Sequence, residues 1–221
     1  MTTFSETTVT CGACGHNFQH SDLSSTNRFG PMDLDTRPPE MARSTMLAWV
    51  QQCPTCGHCA RDASQFDSKL RGILESQDYQ QHLKNETLPP LAARFICSGL
   101  LLEAGGKIVE AGLEYLRVAW IMDDAEAAAG SKQWRGQAAN CLARSLEVSA
   151  TPAGSDANVG TIMVDCLRRA GRGQEALSVI ERILSGNVGA VIEQVLIFQR
   201  ELITRGDIRS HTIDEAIKQE N

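Results

Sequence analysis

The sequence lacks the features of membrane-spanning and secreted proteins. None of its apolar runs approaches the roughly 18 residues that a transmembrane helix requires. Met1 to Thr10 contain no basic start followed by an apolar stretch, as a secretory signal would. We therefore expect a cytoplasmic protein without membrane attachment. In that reducing compartment its eight cysteines are expected to be buried or bound to metal rather than paired in disulfides.

Positive charge and aromatic residues are also scarce. Lys and Arg number 21 against 27 Asp and Glu, which gives a net charge of −6, and 5% of the residues are aromatic. An acidic chain lacks the field with which nucleic-acid-binding proteins attract phosphates. The sequence contains no glycine-rich phosphate loop, no His-Glu-x-x-His motif and no Gly-x-Ser-x-Gly motif. These absences argue against nucleic acid as a partner and favour a non-catalytic protein.

The sequence does contain one short motif in two copies, Cys-x-x-Cys-Gly-His, starting at Cys11 and at Cys53. A Cys-x-x-Cys turn can direct both sulfurs at one point, and two such turns complete a tetrahedral thiolate site for zinc. Four thiolates leave no open position, so the motif predicts a structural zinc ion held by Cys11, Cys14, Cys53 and Cys56. The alternative is a redox dithiol of the thioredoxin type. That chemistry needs a βαβ frame, for which the sequence gives no sign.

The sequence also predicts the environments of the other cysteines and of the two motif histidines. Cys59 is a small residue packed beside the zinc module, an alternate zinc ligand, or a redox-active thiol close to the metal. His16 and His58 occupy equivalent places in the two motifs, and both are expected to face solvent. The remaining cysteines lie on apolar helix stripes and are expected in the core: Cys97, Cys141 and Cys166.

A change of composition near residue 66 predicts two domains. Residues 1–66 hold five of the eight cysteines and four of the seven prolines, whereas residues 67–221 show helical periodicity. We expect a zinc-ribbon-like module with an inserted loop over residues 1–66, including a strand at Met46–Gln52 and a short helix near Pro39–Arg43. Residues 67–221 are expected to form an antiparallel α-helical array. The fold class is thus α+β, mostly α.

Apolar periodicity sets the expected helices of the array. They are Asp67–Lys84, Leu91–Ala104, Lys107–Ala128, Gln133–Val148, Val159–Ala170, Ala176–Leu184, Val191–Leu202 and a short helix after a Thr212–Glu215 capping box, with a loop at Thr151–Asp156. Two helix pairs have the spacing of tetratricopeptide repeats, in which a glycine turn is followed five residues later by an alanine. The pairs are Gly106 with Ala111, and Gly171 with Ala176. The alternative is an irregular all-α bundle.

An acidic and basic cluster lies in the inserted loop, at Asp33, Asp35, Arg37 and Glu40. Paired carboxylates can serve acid–base chemistry or a second metal, but no histidine or nucleophile lies beside them here. The two remaining interpretations are a salt-bridged loop that fixes the module onto the helices and a loop that binds a partner. We carry these four residues forward as candidate partner-binding residues.

Together these segments resemble an uncharacterised bacterial family called domain of unknown function 2225. The resemblance lies in Cys11, Cys14, the Asp33–Glu40 stretch, the Trp49–Gly57 segment and the helix around Ala111–Trp120. It spans most of the chain and implies a double zinc knuckle followed by tetratricopeptide-like helices. It implies no activity.

The sequence therefore predicts a zinc-binding, non-catalytic adaptor or scaffold, with structural Zn²⁺ as cofactor and one or more proteins as partners. Two alternatives stay open. A zinc–thiolate redox switch would use Cys59 as the attacking or resolving thiol. A nucleic-acid-binding zinc ribbon would need a local basic patch.

Overall fold

The structure is a computed structural model that describes residues 1–148 and 153–217 of the chain. Its strands are β1 (Thr3–Thr10), β2 (Asn17–Ser25), β3 (Gln51–Gln52) and β4 (Cys59–Ala60). Its α-helices are α1 (Arg71–Leu74), α2 (Gln77–Leu83), α3 (Pro90–Ala104), α4 (Ile108–Asp124), α5 (Ala128–Val148), α6 (Ala153–Arg169), α7 (Gly173–Leu184), α8 (Ala190–Thr204) and α9 (Ile213–Ile217). The 3₁₀ helices are Arg43–Ala48 and Ser68–Leu70. The α+β, mostly α fold class is confirmed.

Two antiparallel hairpins form the N-terminal module. β1 pairs with β2 from Thr3 opposite Ser25 to Thr10 opposite Asn17, and β3 pairs with β4. Residues 11–16 join the first pair and residues 53–58 join the second, so each hairpin turn carries one copy of the cysteine motif. The β1–β2 hairpin was not expected from the sequence, because its strands carry hydroxyls instead of an alternating apolar pattern. Paired hydroxyls link them; those of Thr3 and Ser25 lie 2.7 Å apart.

The inserted loop departs from its predicted structure in two places. The expected strand at Met46–Gln52 is instead a 3₁₀ helix, Arg43–Ala48, followed by the two-residue strand β3. The expected helix near Pro39–Arg43 does not form over residues 39–42, and the 3₁₀ helix begins only at Arg43. Local side-chain bonds explain the change. The Thr45 hydroxyl donates to the Ala42 carbonyl and accepts from Trp49 Nε1, which stabilises a tight turn where an apolar run suggested a strand.

The helices of the array follow the predicted order. The expected helix Asp67–Lys84 is broken into a 3₁₀ turn, α1 and α2, because the Ser76 side chain accepts from the Tyr79 amide and starts a new helix. Thr151 and Pro152, in the expected 151–156 loop, lie outside the described residues, and α6 already begins at Ala153. The capping box is present: the Thr212 amide donates to Glu215, whose own amide donates to the Thr212 hydroxyl. No helix in the described part of the chain is long and apolar enough to cross a membrane.

The main apolar core runs across residue 66. It contains Cys11, Val50 and Cys53 of the N-terminal module together with Phe95 of α3 and Leu116 of α4. A second, smaller cluster lies at the other end of the array: Leu34, Val195, Phe198, Leu202 and Ala216. The division into residues 1–66 and 67–221 remains a prediction, and the packing shows that the two parts share one core.

Candidate metal centre

Four cysteine sulfurs converge between the two hairpin turns. The Sγ atoms of Cys11 and Cys56 lie 3.7 Å apart, those of Cys14 and Cys53 lie 3.6 Å apart, and all four fall within 4.8 Å of one another. Zinc–sulfur bonds of about 2.3 Å in a tetrahedron require sulfurs about 3.8 Å apart. The donor set and its spacing thus fit a four-coordinate zinc ion. Among the residues that the structure describes, these four cysteines lie close enough together to hold a metal ion.

The two motifs have the same backbone geometry. The amide of the first cysteine donates to the histidine carbonyl, at 2.9 Å for Cys11 to His16 and for Cys53 to His58. The glycine amide then donates back to the first cysteine's carbonyl. Gly15 and Gly57 have φ angles of 74° and 76°, a region that side chains with a Cβ rarely adopt. The glycine after each Cys-x-x-Cys pair therefore closes the turn that points both sulfurs inward.

The surroundings shift the pKa values of these thiols in different directions. Burial raises the pKa of the Cys11 thiol. Burial also raises the pKa of Cys56, and the nearby thiols of Cys14 and Cys11 raise it further. For Cys53, burial is outweighed by hydrogen bonds from the Cys56 and Thr55 amides, so its pKa is lowered. Four thiols this close repel one another when ionised, and a divalent cation removes that repulsion.

The two motif histidines differ, which corrects the prediction for one of them. His16 is exposed, as expected. His58 is 2% exposed instead of facing solvent, and its Nδ1 atom lies 3.8 Å from Cys11 Sγ. Phe66 packs edge-on against its ring at 4.9 Å, and burial lowers the pKa of its imidazole. Cys11 and Phe66 enclose His58 whereas His16 is exposed, so equivalent sequence positions have different environments.

Cys59 is separate from the four-thiol group. It is 1% exposed, and its Sγ atom lies 3.3 Å from the Gly57 carbonyl oxygen. It packs in the same core as Cys97, and the two thiols are close enough for Cys59 to raise the pKa of Cys97. This position matches a small packed residue beside the module; the redox role of Cys59 remains a prediction. Cys97, Cys141 and Cys166 are core residues, as expected.

Helices α1 and α2 hold the metal centre against the array. Tyr79 is fully buried; its hydroxyl donates to the Gly57 carbonyl at 2.9 Å and accepts from the Cys59 amide at 3.1 Å. Arg71 donates to the Ala13 carbonyl in the first motif at 2.7 Å. Both cysteine turns are thus attached to the first helices after the module. Sequence reasoning missed Tyr79, because a lone tyrosine in a helix has no distinguishing spacing.

Side chains of distant helices bond to the Asp33–Glu40 segment in the folded chain. Asp35 is fully buried and accepts from Trp120 Nε1 at 2.9 Å and from Arg135 and Arg169 at 3.3 Å. Arg37 donates both to Oδ1 and to Oδ2 of Asp124, at 2.6 and 2.5 Å.

Asp33 and Glu40 complete the segment. Asp33 is mostly buried and accepts from Arg43 at 3.0 Å, whereas Glu40 is exposed. Asp33, Asp35 and Arg37 therefore have charged partners within the chain, as the salt-bridged-loop interpretation expects, and Glu40 accepts from the Ser44 hydroxyl at 2.6 Å. Their role toward another protein remains a prediction. The helix residues that pair with them could not be found from the sequence, because charged residues on helices usually face solvent.

Comparison with known proteins gives one match. The model of an uncharacterised protein family conserved in bacteria, DUF2225, matches residues 4–205. No curated protein and no solved structure matches the chain.

Proposed function

The chain belongs to the DUF2225 family, and on that premise we propose that it is a non-catalytic protein-interaction adaptor whose N-terminal module is held together by a structural zinc ion. The observation that carries the zinc part is the group of four sulfurs at tetrahedral spacing. All four positions of a tetrahedral ion are taken by thiols, so no site is left for a reacting water. The metal's role is then to fold the module.

The need for such an ion follows from the module's composition. Its β1–β2 hairpin is largely exposed, and β3 and β4 have two residues each. A two-stranded hairpin of this kind is marginally stable without further support. A metal that joins both turns supplies the missing free energy, as in other small zinc modules.

The adaptor part of the proposal is supported by the contacts between the helical array and residues 33–37, which have no regular secondary structure. Side chains of helices α4, α5 and α6 bond to Asp35 and Arg37 of this segment. Helical arrays present extended surfaces of this kind to other proteins. We therefore place partner binding on the array and metal-dependent folding on the module.

The zinc site is tested by metal content. Zinc per chain is measured by mass spectrometry for the wild type, for Cys53→Ser and for the matched control Cys166→Ser, a cysteine buried in α6. The wild type and Cys166→Ser are expected to hold one zinc ion per chain and Cys53→Ser far less. Stoichiometric, tightly bound zinc in Cys53→Ser would overturn the ligand set.

The adaptor role is tested by capture of partners. Tagged wild-type protein and Cys53→Ser are purified from their native cells, and proteins that copurify at near-stoichiometric amounts are identified. A defined partner that binds purified wild-type chain in isolation supports the proposal. Copurifying nucleic acid that leaves at high salt, or no partner at all, contradicts it.

A further inference from the structure

Residues 32–37 lie against the array in the way that a bound peptide lies in a recognition groove. The Leu34 amide donates to the His211 carbonyl at 2.9 Å, and the Ile213 amide donates to the Met32 carbonyl at 2.9 Å. Asp33 and Thr212 thus form an isolated antiparallel bridge between two segments far apart in the sequence. Main-chain pairing of this kind is a common way to bind an extended peptide, while side-chain pockets provide the specificity.

Three side chains of the segment enter three different sites on the helices. Leu34 is 2% exposed and packs in the apolar cluster formed by α8 and α9. Asp35 enters a carboxylate site made by one indole and two guanidinium groups: Trp120, Arg135 and Arg169. Arg37 forms its two-bond pair with Asp124 at the end of α4. The three sites together select an apolar residue, an aspartate and, two residues later, an arginine.

The two arginines of the carboxylate site are also held by a carboxylate of the helices themselves. Asp123 holds Arg135 at 2.7 Å and Arg169 at 3.0 Å, and Arg135 is 1% exposed. The buried Nε atoms of Arg135 and Arg169 have no hydrogen-bond partner in the part of the chain that the structure describes. The site therefore has donors to spare, as expected of a site built to accept an acidic group.

The segment carries one strained backbone position. Thr36, at the centre of the turn, has a φ of 67°, which a residue with a branched Cβ adopts only at a cost. Replacing this occupant by a chain with a better turn would relieve that cost. The strain at Thr36 therefore favours exchange for such a chain.

We propose that the groove formed by α4, α5, α6, α8 and α9 is a recognition site for an apolar-Asp-x-Arg turn of a partner protein, occupied within the chain by Leu34–Arg37. This inference rests on the proposed adaptor function and names the chemistry that the adaptor reads. The occupied form is the closed state, and a partner opens it by replacing the segment. A tethered occupant acts at an effective concentration on the order of millimolar, so a free peptide competes only weakly with it.

The test therefore weakens the internal occupant and supplies the same sequence as a free peptide. Full-length Asp35→Asn, wild type and Glu40→Gln are titrated with a fluorescent peptide of residues 28–41, and binding is read by anisotropy. Glu40→Gln is the matched control, because Glu40 is an exposed carboxylate of the same segment. A second peptide carries Asp35→Asn. Helical circular dichroism shows whether each variant is folded.

Loss of a charged hydrogen-bonded contact weakens the internal occupant about 10- to 100-fold. We expect Asp35→Asn to bind the native peptide tighter than wild type and Glu40→Gln do, by about that factor, and to bind the Asn peptide at least about 10-fold more weakly. Equal binding of the two peptides, or no gain over Glu40→Gln, overturns the proposal.

A second variant covers the case in which Asp35→Asn does not fold. Leu34→Ala removes the apolar anchor and leaves every charge in place, and the same gain in peptide binding is expected. If both variants lose their helical signal, the segment is an integral part of the fold and the proposal is wrong. If the wild type captures a partner but neither Asp35→Asn nor Leu34→Ala binds the peptide, the groove is refuted and the adaptor function still stands.

Discussion

Gly12, between Cys11 and Cys14 of the four-thiol group, lies where two backbones meet. Its amide donates to the Ala63 carbonyl at 2.9 Å, and a Cβ on Gly12 would lie 2.3 Å from the Ser64 carbonyl oxygen. Backbone atoms cannot move as a flexible side chain can, so the first cysteine turn would have to shift. We expect Gly12→Ala to lower the free energy of unfolding by about 1–3 kcal/mol and to speed zinc release. Urea denaturation and a chromogenic chelator measure the two effects.

The control for this substitution is Gly136→Ala in α5. An added Cβ there meets nothing within 4 Å, and alanine favours the helix by about 0.5–1 kcal/mol. It should therefore be neutral or stabilising, with zinc release unchanged. Comparable zinc lability in the two variants would mean that the close approach at Gly12 is unimportant.

Two aspartates of the charged network should respond to pH in opposite directions. Burial raises the pKa of Asp123, but hydrogen bonds and charge from Arg135 and Arg169 outweigh it, so the pKa is lowered. For Asp33, burial and the charge of Asp35 raise the pKa. The stability that Asp123 provides is thus present above its unfolded pKa of about 3.9 and is lost as the pH falls through its lower folded pKa. Asp33 opposes folding at neutral pH, and this is relieved as the pH falls through its raised folded pKa.

We therefore expect Asp123→Asn to cost about 3 kcal/mol at pH 7, because it leaves two buried guanidinium groups less compensated, and to flatten the acid side of the stability curve. Asp33→Asn should change stability by less than about 1 kcal/mol, because the lost pair with the partly exposed Arg43 is offset by removal of a charge that opposes folding. Urea denaturation between about pH 3 and 7 measures both curves. A larger loss for Asp33→Asn than for Asp123→Asn would contradict this assignment.

At the scale of elements, α2 is joined to the second cysteine turn by one hydroxyl. Tyr79→Phe removes the group that bonds both the Gly57 carbonyl and the Cys59 amide, and leaves both buried without that partner. We expect a loss of about 1–3 kcal/mol and faster zinc release. Tyr115→Phe is the matched control, because its hydroxyl donates to Glu103 away from the cysteine turns. It should lose some stability and keep the zinc release rate of the wild type; equal zinc release in both variants would refute the role given to Tyr79.

The elements also show what a single sequence reveals. Helices α3 to α8 could be predicted because their apolar residues recur with helical spacing. The grouping of the four cysteines could be predicted because each Cys-x-x-Cys motif directs two sulfurs at one point. The β1–β2 hairpin could not be predicted, since serine and threonine pairs across strands have no periodic apolar signature. The burial of His58 and the pairing of Asp35 with Arg135 depend on contacts between distant segments, which local spacing does not encode.

At the scale of the whole molecule, a metal ion held by the four thiols would close a long loop. Cys14 and Cys53 bracket the chain that contains both the 3₁₀ helix and the Leu34–Arg37 segment. A bond across a loop of this length, roughly 40 residues, lowers the entropy of the unfolded chain by an amount worth about 4 kcal/mol. Metal bound at one end of the molecule would thus favour the docking of the segment near the other end.

Removal of zinc should therefore destabilise both ends at once. Because Cys11 and Val50 share the main core with Phe95 and Leu116, the module cannot unfold without exposing apolar surface of α3 and α4. We expect a strong chelator to lower the midpoint of thermal unfolding in a single transition and to increase hydrogen exchange in residues 31–41 as well as in residues 1–25. Re-addition of zinc should restore both, and Cys53→Ser should match the chelated wild type. If exchange rises in residues 1–25 alone and the helical transition keeps its midpoint, the module and the array are independent units and the coupling does not exist.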